Sequence, residues 1–77
     1  MELTAIEKKV LELGIQGYEN RHMVWKIGQS CEAIDRHWMN IQMKLLTRES
    51  SQVAALIRDR VKSAMANSEH STNAHMG

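Results

Sequence analysis

Apolar residues in this chain return every three or four positions from Ile6 to Met65 and never alternate for long. Only helices bury such a spacing on one side, so the pattern predicts an all-α protein. The sequence contains no proline, and glycines supply the breaks. Four helical segments follow. The first opens at Thr4, with Glu7 three residues on, a capping-box pattern in which each side chain satisfies the other's free backbone N–H. Ile6, Val10 and Leu13 then share a face; Gly14 weakens the last turn and Gly17 suits a left-handed stop. Asn20 is predicted to cap a short second helix carrying Met23, Val24 and Ile27, closed by Gly28.

Gly28-Gln29-Ser30 reads as a tight turn, with Ser30 capping a third helix that runs to about Leu46. On that helix Ile34, His37, Trp38, Ile41 and Leu45 fall on one arc and form a core stripe. Cys31, Glu32, Asp35, Arg36, Met39, Gln42 and Met43 fall on the other, outward arc. Trp25 is expected to pack under a neighbouring helix. Residues 48–51 read as a loop with a serine cap. A fourth helix then carries Val53, Leu56, Ile57, Val61, Ala64 and Met65 at i, i+3, i+4 spacing. The domain spans residues 1–66, and 67–77, small, polar and aperiodic, read as a disordered tail. A short helix, a glycine turn and a longer helix make the arrangement of a helix-turn-helix.

Other chemistries are poorly supplied. Cys31 is the only cysteine, so no internal disulfide forms, and the Cys/His spacings of zinc modules are missing. Cys31 and His37 are six residues apart, roughly 240° around a helix, too divergent for a thiolate–imidazole pair. There are no paired carboxylates, phosphate-cradling glycine loop or nucleophile motif, so neither an enzyme nor a cofactor or metal site is expected. No apolar run approaches the ~20 residues of a membrane span, no signal pattern opens the chain, and a lone thiol suits a reducing cytoplasm. A chain of this length buries only about 60% of its unfolded surface, so pairing with a second copy is a natural aid to stability.

Beyond fold, the residues resemble a family. Leu3-Thr4, Glu7, Val10-Leu11, Leu13, Gly17, Asn20-Arg21, Ile27, Ser30, Ile34, His37, Asn40-Ile41 and Lys44-Leu45 are spaced as in the LuxR/GerE-type (NarL/FixJ-like) helix-turn-helix. The match covers residues 3 to about 58 and looks like a free-standing member. The resemblance implies a bacterial or phage transcription regulator: a four-helix domain whose third helix, residues 30–46, enters the major groove of duplex DNA while the fourth forms a homodimer contact. It implies base-reading positions at Asp35, Arg36 and Met39 and backbone-contact positions near Arg21, Ser30, Ala33 and Lys44. From its own place on the third helix, Gln42 joins the base readers. Lys26 and Arg48 flank the helix and join the phosphate set. The dimer contact is expected to use Val53, Leu56, Ile57, Arg60 and Val61.

Charge argues for a second reading. Ten basic side chains face nine acidic ones, a net charge of +1, whereas DNA-binding domains usually carry a clearly basic face. Asp35 stands where the family usually carries lysine. An interaction module derived from a helix-turn-helix, binding RNA polymerase or another regulator through Met39, Met43 and Leu46, is the alternative. A sigma-region-4-like or antiterminator domain shares the same helix pattern.

Overall fold

The computed structural model describes the backbone of residues 2–45 and 51–76, with side chains described over 2–45 and 52–66. Within these residues there are four helices and no strand: α1 (Ala5–Ile15), α2 (Asn20–Ile27), α3 (Cys31–Leu45) and α4 (Ser51–Met76). The all-α class expected from periodicity is therefore the observed one. No helix among the described residues is long and apolar enough to cross a membrane.

Local chemistry sets the first three helices. Thr4 and Glu7 form the reciprocal capping box: the Glu7 N–H donates to Thr4 Oγ1 at 3.2 Å and the Thr4 N–H to Glu7 Oε1 at 2.9 Å. At the other end of α1 the Tyr18 N–H reaches the Leu13 carbonyl and the Gly17 N–H the Gly14 carbonyl, both at 3.0 Å. This paired closure is a Schellman stop around Gly17. Helix α2 ends on Gly28, whose φ of 79° is left-handed backbone that a side chain disfavours. Ser30 then caps α3, its Oγ accepting from the Ala33 N–H at 3.2 Å.

Packing centres on α3, which contacts all three other helices. Val10, Met23, Ile34, Trp38 and Ile41 are fully buried, joined by Leu13, Ile57, Val61 and Ala64. Trp38 is the largest of these, and α1 makes room for it at Gly14. A Cβ built at Gly14 would lie 2.6 Å from Trp38 Cη2 and 2.7 Å from Cζ2. The glycine that costs α1 helix propensity is the one that lets the indole approach its backbone.

Three expectations need correction. Asn20 is not a cap. Glu19 takes that place without a side-chain capping bond, and Asn20 is the first helical residue, turned toward α3. Trp25 does not pack under a neighbour but is 87% exposed. Eight residues of α2 bury one narrow side, Met23 with half-buried Val24 and Ile27, and Trp25 lies roughly 200° around from Met23. His37 is half-buried beside the core stripe and bonds Gln29 of the turn at 2.6 Å. Helix α4 runs to Met76, with no proline or glycine between Gly28 and Gly77. Residues 46–50, including Leu46, Arg48 and most of the expected loop, lie outside the described residues.

Replacing Gly14 by alanine tests the Trp38 contact. In an ordinary helix the change adds about 1 kcal/mol of stability. Here the new methyl meets a buried ring, and overpacking of this kind costs typically 1–3 kcal/mol. Urea denaturation should show Gly14→Ala less stable than the parent; a more stable variant would remove the close approach.

Candidate functional site

The side of α3 opposite its core stripe is left uncovered by the other helices among the described residues. At ~100° per residue, Glu32, Arg36, Asn40 and Met43 lie within an arc of about 80°. All four are exposed, Met43 at 76%. Diametrically opposite are Ile34, Trp38 and Ile41, each with no exposed surface. A rod buried this completely on one side presents the other in a fixed orientation.

The expected base readers divide. Arg36 sits in the middle of the exposed strip. Met39 is half-buried at its edge. Gln42 turns toward α4, where it lines a shallow recess with Leu45, Ala54, Ile57 and Arg58. Asp35 is half-buried on a flank, and its Oδ1 accepts from Asn20 Nδ2 at 2.6 Å. Asn40 and Met43 belong to the strip instead. Their spacing from Glu32 and Arg36 (i+4, i+8, i+11) was the signal available for finding them.

The expected phosphate contacts divide as well. Arg21 is exposed and pairs with Glu19 at 2.9 Å, an ion pair open to water. Such pairs are worth about 0–1 kcal/mol and exchange readily for another anion. Lys26 is exposed and lies over the Tyr18 ring, 4.9 Å from its centroid. Ser30 has its hydroxyl on the α3 cap. Arg48 is outside the described residues. Lys44 is not displayed to solvent: its Nζ donates to Glu7 Oε1 at 2.7 Å, with the two side chains 18% and 5% exposed. One carboxylate oxygen thus joins the first turn of α1 to the last turn of α3.

The residues expected at a dimer contact are largely used within the chain. Ile57 and Val61 are buried in its core, and Val53 and Leu56 pack half-buried against it. Arg60 is half-buried with its guanidinium 5.8 Å from the Trp38 ring centroid. In the fold Ile57 and Val61 join Trp38 and Ile41 in one core cluster, with Val53 and Leu56 packed against it, while Met65 stays exposed.

Electrostatically the strip is mixed, with one anion (Glu32) and one cation (Arg36), and Asp35 beside it. Among the described residues no group of three or more His, Cys, Asp or Glu is placed to hold a metal ion. Fold and surface together define an all-α domain with one helix displayed outward behind a glycine turn. Neither family models, curated proteins nor solved structures match the chain.

The Glu7–Lys44 pair makes a pH prediction. Burial pushes the Glu7 carboxyl up, but hydrogen bonds from Lys44 and the Thr4 backbone, with the Lys44 charge, outweigh it and hold the group below the usual glutamate range. A carboxyl depressed on folding contributes stability that is full above its unfolded pKa of about 4.3 and is lost as pH falls through the lower folded value. Glu7→Gln leaves half-buried Lys44 without its counter-charge, so it should cost about 2 kcal/mol at pH 7. The variant should also lose stability less steeply than the parent on acidification below about pH 4.3. Denaturation curves for both proteins at pH 7 and pH 3 measure this; equal stability at pH 7 would contradict it.

Proposed function

We propose that the chain is a helix-turn-helix transcription regulator that binds duplex DNA with the exposed strip of α3 in the major groove. The observation that carries this reading is the strip itself. Arg36, Asn40 and Met43 project from a rigid helix whose opposite side is wholly buried. Those side chains match base edges. Arginine donates to the two acceptors of guanine, asparagine pairs with the donor and acceptor of adenine, and a thioether offers apolar contact to a thymine methyl. The resemblance to the LuxR/GerE pattern supports the same helix in the same role. Arg21 and Lys26 on α2 are the described cations suited to position it against phosphates.

A second copy of the chain would double these contacts and place two α3 helices about one DNA turn, ~34 Å, apart. With Ile57 and Val61 in the protomer's own core, exposed Met65 with half-buried Val53 and Leu56 are what the described side chains of α4 offer such a partner.

One surface feature favours the rival reading, a protein-interaction module that binds RNA polymerase or another regulator. Met43 and Trp25 are large apolar groups in water, and Glu32 and Asp35 make the α3 surface unattractive to phosphate. Mobility shifts over a salt series separate the two. A DNA binder with several phosphate contacts loses affinity steeply with salt. Arg36→Ala and Asn40→Ala should each cost about 1–3 kcal/mol on a specific site, roughly tenfold or more in affinity. Lys26→Ala should weaken all sequences alike and flatten the salt slope. Absence of binding to any genomic fragment at low salt, with a polymerase subunit co-purifying, would establish the rival.

A further inference from the structure

We propose that Asp35 is a positioning residue rather than a base reader: through Asn20 it locks α2 to α3 and so fixes the direction in which the reading strip points. This deepens the DNA-binding reading and rests on it for the role of α3. The clamp itself stands on geometry alone.

The chain of bonds begins in the core. Trp38 has no exposed surface, yet its indole N–H must find an acceptor once buried. Asn20 Oδ1 supplies it at 2.9 Å. That choice orients the Asn20 amide, because the oxygen is committed to the indole and the NH2 group must face the other way. Asn20 Nδ2 therefore donates to Asp35 Oδ1 at 2.6 Å. Trp38 and Asp35 sit three residues apart on α3, so the two bonds grip the first residue of α2 from two points on one helix. A single hydrogen bond would leave a hinge; two divergent ones on a planar amide leave none. Across the ring Arg60 of α4 lies over Trp38, so α2, α3 and α4 meet at this indole.

The carboxylate at residue 35 has an electrostatic cost for a helix meant to approach phosphates, and the clamp gives a reason for it. The Asn20 NH2 needs an acceptor at that place. A lysine, which only donates, cannot serve. Sequence reading then falls to Arg36, Asn40 and Met43, which take no part in the clamp.

Reversing donor and acceptor tests this. Asn20→Asp places two carboxylates in contact and removes the donor. Combined with Asp35→Asn, it restores a complementary pair in reverse: the new amide donates to the new carboxylate, which still accepts from Trp38. The double variant has the parent's net charge, so long-range attraction to DNA is held nearly constant. The readout is the pair of indole N–H resonances, with exposed Trp25 as internal control and assigned by Trp25→Phe. The Trp38 indole N–H should exchange slowly in the parent and in the reversed pair. It should exchange at least tenfold faster in Asp35→Ala and Asn20→Asp, and a variant that unfolds outright counts only if the reversed pair folds. Affinity for a random-sequence duplex at low salt should follow the same order, parent and reversed pair within about threefold. If the reversed pair behaves like Asn20→Asp, or Asp35→Ala keeps both the slow exchange and the parent's affinity, the clamp is overturned. If the indole pattern appears but no variant, parent included, binds DNA, the clamp holds and the DNA-binding reading falls.

Discussion

Burial of Trp38 is the constraint from which the arrangement of the helices follows. The side chain is too large for a core of this size unless every neighbour concedes something. Helix α1 gives up a Cβ at Gly14, and α2 commits the amide of its first residue to the indole N–H. On the remaining side α4 brings Leu56 near Gly14 and lays Arg60 over the ring. Each concession is local, yet together they set where the axes of three helices pass relative to α3. Since native packing leaves few voids, a side chain satisfied on so many sides has one place to be.

What such a core offers function is rigidity on the side it does not use. The exposed strip of α3 lies outside the core, and its orientation is inherited from Ile34, Trp38 and Ile41 beneath it. Two tethers hold the rod along its length. Asp35 reaches α2 near one end, and Lys44 reaches the α1 capping box near the other. The net electrostatic footprint is small because ten basic side chains stand against nine acidic ones, and the Glu7–Lys44 tether takes one of each out of play. The Glu7–Lys44 pair is spent inside the fold, and what is left outside must attract a partner through geometry more than through field.

Much of this was legible in the sequence, and the reason is that the legible parts are local. The Thr4/Glu7 box, the Gly17 and Gly28 stops and the Ser30 cap each depend on residues within four or five positions, and each is where it was expected. The core stripe of α3 was equally readable from period alone. Illegible were the pairings that tertiary contact decides. Glu7 and Lys44 are 37 residues apart, so nothing in either neighbourhood announced that the lysine would turn inward. Asn20 was read by its intrinsic preference for caps, but the acceptor demand of a buried indole took precedence and shifted the cap to Glu19. The apolar stripe of α4 could be seen but its partner could not: periodicity states that a face will be covered and is silent on what covers it. At the strip itself, Glu32, Arg36 and Met43 were already on the outward arc, while exposed Asn40 was not placed there.

The central claim is that the outward side of α3 is the surface that meets DNA. Titrating the 15N-labelled protein with a random-sequence duplex at low salt, and following backbone amide shifts, tests it most directly. The account predicts that perturbations concentrate at Glu32, Arg36, Asn40 and Met43, with smaller ones at Arg21 and Lys26, and leave the exposed residues of α4 unmoved. Shifts confined to α4 or to the surroundings of Trp25, or no shift at any residue, would contradict it.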